Sequence, residues 1–465
     1  MQLALLWLVS VATIAKSVDP TCDLDFDLVR EIHSYQPIVD KIVDTLTQGD
    51  FKGRAYDELA HFIDKFGSRL TGTQNLEDAI DYLLELMRKN DLENVNGEEV
   101  TVTRWNRLLE AGELTEPRSK SIALTALGSS VSTPVGGLEA EVAVVRSFAE
   151  LDRGNFTGKI VVINQEFNGY DHDYMYRSNG ATEASKKGAV AALVRALTPF
   201  SMYGLYTGQQ TYRNNVTKIP AASITKEDAQ MMQRMQDRGE RIVMRLQIST
   251  ESLDNSTSRN AVGEVVGLTE PNKVVVVSAH TDSWDVGLGA MDDGGGVFMS
   301  VYSLVVLKAL GLRPRRTLRT ILFTGEEQCY CGVNDYNEAH LDELDDFVFV
   351  MESDEGTWNP LGLSYTAGTR GGCVLQEILK LLAPLNATKA VRVDNVGSDI
   401  SLWTKSLLPG ASLLNENDRW YWFQHNEADT MDVMDRDAMD KATAVWTSVA
   451  YVIADLRLEF PKERD

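Results

Sequence analysis

The stretch Lys273–His280, KVVVVSAH, followed by TDSWDVGLGAMDDGGG, decides the fold. Its four consecutive valines, Val274 to Val277, have no polar residue among them, which suits a central strand of a parallel sheet, covered on both faces. At the C-terminal end of that strand stand His280, Asp282, Asp285, Asp292 and Asp293, and three glycines follow. Open α/β sheets gather their ligands at strand C-termini, so imidazole and carboxylates collected there are either a metal site or a costly accident.

Outward from this strand the pattern repeats. From Asn260 onward apolar runs alternate with helical stretches: NAVGEVVG, the valine strand, the helix GGVFMSVYSLVVLKAL, then TLRTILFTGEE, DDFVFVMESD and GASLLNEN. Such alternation implies a mixed, mostly parallel sheet flanked by helices, an α/β fold. Between about 126 and 255 the character changes to short strand-like runs, EAEVAVV, GKIVVIN, AVAALVRA, KIPAASIT and RIVMRLQI, which read as an inserted β-rich domain. The boundaries expected are 1–17 for a signal peptide, 18–48 for a propeptide or N-terminal helix, 49–125 and 256–465 for the two parts of a catalytic domain, and 126–255 for the insert.

A chain of 465 residues exceeds one ordinary domain. Its 43% apolar and 24% charged content is globular. A net charge of -23 leaves nothing to neutralise a run of phosphates and argues against nucleic acid as a partner. The opening MQLALLWLVSVATIAKS is apolar, too short to span a bilayer comfortably and ends in small residues, as a secretory signal peptide does; a buried N-terminal helix is the alternative. No later segment looks long and apolar enough for an anchor, so the mature chain is expected without a membrane partner. The expected location is outside the cell, or a lysosome-like, ER or Golgi lumen. Sequons at Asn155, Asn215, Asn255 and Asn386 agree with that compartment.

The cysteines Cys22, Cys329, Cys331 and Cys373 are too few for a disulfide scaffold. One residue separates Cys329 from Cys331, which disfavours their mutual bridge, and either paired with Cys373 is the better expectation. A CxC metal site lacks a second pair or a nearby His to complete it. His61 sits in the amphipathic RAYDELAHFIDKF and reads as a half-buried core imidazole, while DHD at 171–173 reads as a polar loop.

Three apolar strands end in polar residues of one kind: KVVVVSA in His280, TILFTG in Glu326 and Glu327, FVFVM in Glu352, Ser353 and Asp354. Taken singly, an acidic pair at a strand end is usually a cap or a solvated loop. Together, His, Asp and Glu without thiolate are the ligand set of paired divalent metals in hydrolases, whose ions lie roughly 3.5–4 Å apart and share a bridging carboxylate. Asp292 suits the bridge. Of two adjacent carboxylates, one can bind metal and its neighbour serve as general base. Asp282 is placed to accept the second ring N–H of His280 and fix its tautomer. His425, after the aromatic run Trp420 to Phe423, is the remaining candidate ligand, and that run reads equally as core or as pocket wall.

HTDSWDVGLGAMDDGGG, FTGEEQ, MESD and HNEADT, in that order, resemble the successive signatures of the di-zinc exopeptidases related to aminopeptidase Y and glutamate carboxypeptidase. FGSRLTGTQNLEDAIDYLLELM and NAVGEVVG match early segments of that family, and GKIVVIN, KKGAVAALVR and IPAASIT resemble its protease-associated insert. The resemblance covers nearly the whole chain after about residue 45 and implies a zinc exopeptidase fold of the phosphorylase/hydrolase-like kind. It also implies two zinc ions per chain: His280, Asp292 and Asp354 at one ion, Asp292, Glu327 and His425 at the other, Glu326 as general base and a cis bond after Asp292. GSDISLW carries Ile400 where many relatives have His, so substrate contacts do not transfer there. The activity implied is that of a dipeptidase or carboxypeptidase on short peptides, with a homodimer expected. The alternatives are an aminopeptidase on longer peptides, a glutaminyl-cyclase-like acyltransferase, and a non-catalytic binding protein on the same fold.

Overall fold

The computed structural model describes residues 22–406 and 408–463, so the signal-peptide reading of 1–17 lies outside the described residues. The strand Glu270–His280 is the centre of the sheet, and Val275, Val276 and Val277 are wholly buried in it. Val275 and Val277 face one core with the helix Gly295–Ala309, while Val274 and Val276 face another with Ile321, Phe347 and Trp403. Both faces are therefore dry, which is why the run carries no polar residue.

Its neighbours Arg316–Phe323 and Phe347–Glu352 both run parallel to it. Phe323 pairs with His280 and Glu352 with Ser278, so the three strands end at one level. Beyond Phe347–Glu352 come Gly410–Asn415, Pro360–Tyr365 and Lys389–Arg392, with one antiparallel pairing among them. The sheet is mixed and mostly parallel. Helix Arg436–Asp455 packs beside Gly295–Ala309, joined by helices Phe26–Ser34 and Gln36–Thr47, whose Ile32, Val39, Ile42 and Leu46 enter the same core. One expectation fails: Ala290–Ala309 is long and apolar enough to cross a membrane, but its residues from Ala290 through Leu307 are buried in protein. A core helix surrounded by apolar neighbours is as uniformly apolar as a lipid-facing one.

The disulfides are also corrected: Cys22 bridges Cys373, and Cys329 bridges Cys331. Tyr330, in a left-handed conformation between helices Glu326–Cys329 and Cys331–Ala339, folds the chain back and brings the Cα atoms of its two neighbours to 5.0 Å, within bridging reach. Cys373 lies on the buried face of helix Thr369–Lys380.

The insert hangs on two long strands, Glu93–Glu116 and Val243–Val265, paired antiparallel from Glu93 with Glu264 to Glu116 with Val243. One end of Val243–Val265 pairs with Arg316–Phe323 and the other with Leu138–Val145, so the main sheet continues into that of the 126–255 region. Leu138–Val145, Ile160–Ile163, Ala191–Arg195 and Ala221–Ile224 run parallel in that order. Between them lie helices, including Tyr170–Lys186, where a polar loop was expected at 171–173. That helix packs through Gly180, Ala181 and Ala184 instead of a large apolar stripe. A Cβ on Gly180 would stand 3.0 Å from Ile163 Cδ1, so small residues there allow the close approach and hide the periodicity.

Candidate metal centre

His280 ends the central strand with its Nδ1 3.0 Å from the backbone carbonyl of Asp282 and its Nε2 3.2 Å from both Asp292 Oδ1 and Asp354 Oδ1. The expected partner of the ring N–H was the Asp282 carboxylate. Instead the backbone carbonyl takes it, because that carboxylate is already engaged. It accepts from the Glu326 N–H at 3.1 Å, the Glu327 N–H at 3.3 Å and the Thr71 hydroxyl at 2.7 Å. Asp282 thus fixes the turn that carries the two glutamates, which Gly325 enters in a left-handed conformation.

Asp292 lies in the turn Ala290–Gly294, and its peptide bond to Asp293 is cis. Its Oδ1 faces His280, while Oδ2 lies 3.3 Å from His425 Nε2. The buried Asp429 carboxylate accepts from the Met291 and Asp292 N–H groups at 2.7 and 3.2 Å. Asp293 accepts from the backbone N–H of His280 and of Gly296, capping the helix that follows. Gly296 must be glycine, since a Cβ would stand 2.2 Å from the Ser353 carbonyl.

Glu327 Oε2 lies 2.9 Å from His425 Nε2 and accepts the indole N–H of Trp284 at 2.6 Å. The Nδ1 of His425 faces the Thr207 carbonyl of the insert at 3.3 Å. With Nδ1–H on the neighbouring backbone carbonyl, each histidine turns an Nε2 lone pair toward carboxylate oxygens, an arrangement that repels itself unless a cation or a proton lies between. Asp292 Oδ2 and Glu327 Oε1 are buried without a hydrogen-bond donor. The potential ligand atoms of His280, Asp292 and Glu327 lie within 4.8 Å of one another, as do those of His280, Asp293 and Asp354. Oxygen and imidazole donors without thiolate fit zinc or another divalent ion.

The electrostatics agree. Burial pushes both imidazoles down, but the Asp292 and Asp354 carboxylates at His280, and those of Glu327 and Asp292 at His425, more than reverse it, so both take up protons more readily than usual. Burial pushes the Glu326 carboxyl well above its ordinary range; His280 counteracts this, and Asp354, Glu327 and Asp282 add to it. The nearby Arg69 guanidinium is fully buried and donates to the carbonyls of Gly67, Thr281, Leu288 and Gly289. It ties the loops together, and its charge also acts on the nearby Asp429, Asp282, Asp293 and Asp292 carboxylates.

Next to these residues is a pocket of about 190 Å³, bordered by Tyr170, Arg177, Glu326, Tyr330, Asp354 and Gln424 among others. The insert closes one side: Thr207 N–H donates to the His425 carbonyl at 2.9 Å, and Phe200 stacks on Trp422 at 4.6 Å. The aromatic run is both core and wall, because Trp420 packs on Met291 and Trp358 while Tyr421 stacks on Tyr170 at 5.2 Å. Arg177, from the insert, lies 3.4 Å from His425 Nδ1 and donates to Tyr170 Oη at 2.6 Å.

His280, Asp282, Asp292, Glu326, Glu327, Asp354 and His425 all converge. The other histidines do not: His33 pairs with Glu377, His340 with Glu98, His172 with Asp173, and His61 is exposed where a half-buried ring was expected. Ile400 is wholly buried against the Trp403 cluster. Sequence reasoning gave no role to Asp429, Arg69, Trp284 or Arg177; the first three lie inside HNEADT, FGSRLTGT and HTDSW without being singled out, and Arg177 lies in none of the quoted motifs. It noted Glu352 without giving it a role; its carboxylate accepts from the N–H groups of Ser398, Asp399 and Ile400 and holds that loop beside Asp354. Asp399 is buried with neither carboxylate oxygen hydrogen-bonded, and burial together with Glu352 and Glu326 pushes its carboxyl well up.

The model of peptidase family M28 matches residues 260–450. Carboxypeptidase Q of Xenopus laevis is 45% identical over 440 residues, covering 94% of each chain. The crystal structure of a peptidase M28 precursor from Shewanella amazonensis SB2B superposes with a TM-score of 0.88 at 27% identity, covering 92% of this chain and 99% of its own. A zinc aminopeptidase of Bacillus subtilis shares the fold with a TM-score of 0.66 at 20% identity, covering 88% of this chain and 96% of its own. With the sheet, the polar rim and these similarities together, the chain belongs to peptidase family M28, beside the carboxypeptidase Q proteins, and is a metallo-exopeptidase.

Proposed function

We propose that the protein is a secreted di-zinc exopeptidase that hydrolyses dipeptides or other short peptides, with Glu326 as general base. The observation that carries this reading is Asp292, which turns one carboxylate oxygen to each of two buried histidines. His280, Asp292 and Asp354 would hold one ion, and Asp292, Glu327 and His425 the other. When bound, the ions supply Lewis acidity that polarises the scissile carbonyl and eases deprotonation of water. Glu326 takes the proton of the attacking water and passes it to the leaving amine, a task suited to a carboxyl whose affinity for protons is raised by burial. Asp282 keeps Glu326 in place through the turn N–H groups. Arg177 is the cation bordering the pocket among the described residues and favours a substrate with a free carboxylate close to the scissile bond. The insert over the site favours short peptides and keeps bulk water out.

A second reading, an aminopeptidase on longer peptides, is favoured by a cleft of about 800 Å³ that shares Tyr170, Asp354, Ser398 and Gln424 with the pocket. Secretion is supported by exposure of all four sequon asparagines and by two disulfides, which belong to oxidising compartments. A homodimer rests on the family resemblance alone. The test is metal analysis and turnover of the purified mature chain on a dipeptide, its N-acetyl derivative and a tetrapeptide. About two zinc per chain and dipeptide cleavage are expected, and Glu326→Gln should keep the metal and lose turnover by at least a hundredfold. Full activity in that variant refutes Glu326 as the base, and preference for the tetrapeptide selects the second reading.

A further inference from the structure

Tyr330 is unusual in its backbone, its neighbours and its surroundings. A tyrosine with φ 51° and ψ 29° adopts the left-handed conformation that bulky residues avoid. The disulfide between Cys329 and Cys331 closes around it, so the chain cannot relax to a helical path there. The residue is 48% exposed, although it borders the pocket together with Glu326, Asp354 and His425. Among the described residues its hydroxyl has no hydrogen-bond partner and its ring stacks on no other ring. By contrast Tyr170, across the same pocket, stacks on Tyr421 and lies under the Arg177 guanidinium.

Left-handed backbone at non-glycine residues persists where surrounding structure enforces it, and it concentrates at functional sites. His425 shares the trait at φ 53° and borders the same pocket. An aromatic ring at the edge of a catalytic pocket, stacked on no other ring, presents an apolar face to whatever enters. We propose that Tyr330 contacts the substrate directly and sets a preference for an apolar or aromatic side chain, and that the Cys329–Cys331 disulfide is the clip that presents it. This rests on the peptidase reading of the site.

The test compares kcat/KM of the zinc-loaded wild type, Tyr330→Ala and the double variant Cys329→Ser/Cys331→Ser on dipeptides carrying Ala, Leu or Phe at each position. In parallel, the Phe dipeptide is titrated calorimetrically into Glu326→Gln with and without Tyr330→Ala. Tyr330→Ala should cut kcat/KM for the Phe or Leu peptide about tenfold, mainly through KM, and leave the Ala peptide within about twofold. It should weaken Phe dipeptide binding by a similar factor, with zinc content and Tm unchanged. The double cysteine variant should lose the same selectivity while retaining Tyr330. Unchanged selectivity and binding in Tyr330→Ala overturn the substrate contact, whether or not the cysteine variant folds. A folded cysteine variant with wild-type selectivity overturns the clip. If the zinc-loaded wild type neither cleaves nor binds any of the dipeptides, the peptidase reading fails and this inference with it.

Discussion

Replacing Asp282 by Ala tests whether the site is built by its supporting turn as much as by its converging side chains. The Asp282 carboxylate accepts three hydrogen bonds, from the N–H groups of Glu326 and Glu327 and from the Thr71 hydroxyl, and all of these groups are buried. Truncation leaves the two backbone donors and the hydroxyl unsatisfied at about 1–3 kcal/mol each, so a loss of about 3–9 kcal/mol is expected. Functionally the larger effect is on position. Without the anchor the turn is free to shift, and a displacement of about 1 Å at a catalytic group costs on the order of a hundredfold in rate. Asp282→Asn keeps one acceptor oxygen and should fall between Asp282→Ala and wild type. The assays are thermal unfolding, zinc per chain, and kcat and KM on a dipeptide. The expected pattern is a lower Tm and a kcat reduced at least a hundredfold, while the His280 Nδ1–H retains its acceptor, the backbone carbonyl of residue 282. Asp282→Ala with wild-type kcat and Tm would refute the reasoning.

Trp284→Phe removes the indole donor to Glu327 Oε2 while keeping most of the packing, and should weaken metal retention about tenfold, read by competition with a chelator. Asp440 tests a pH effect far from the site: its carboxyl is pushed up to about 6 by burial, against the Gly53 N–H that it accepts and with the charge of Asp437 reinforcing the rise. A folded-state value above the unfolded one means that the protonated form is preferred in the fold, so this group's contribution is complete near pH 4 and is lost as pH rises through about 6. Asp440→Asn should therefore raise Tm at pH 7.5 and leave it unchanged near pH 4, and a Tm difference that does not vary with pH would refute this.

Much of the active half was legible because hydrophobic burial writes itself along the chain. Strands dry on both faces must be continuous apolar runs, and the residues just after them stand on the rim where ligands collect. The valine run, TILFTGEE and FVFVMESD thus specify both the parallel sheet and the carboxylates that meet at His280. Helix Tyr170–Lys186 was not legible, because it packs through glycine and alanine and shows no apolar stripe. The disulfides were not legible either, because spacing says nothing about the left-handed turn at Tyr330 that closes one, or about the folding that brings Cys22 to Cys373 across 351 residues.

Alone, then, the sequence determined the fold class, the rim residues and the chemistry of their side chains, since residue type and periodicity are local properties. Tertiary structure decided how those side chains are used. Asp282 serves the glutamate turn because Thr71 and two backbone N–H groups reach its carboxylate before the imidazole can. Arg177 borders the pocket, 248 residues away from His425, because the long paired strands fold the insert back over the rim. Such contacts depend on which surfaces pack together and which buried polar groups then find a partner, and no pattern along the chain encodes either.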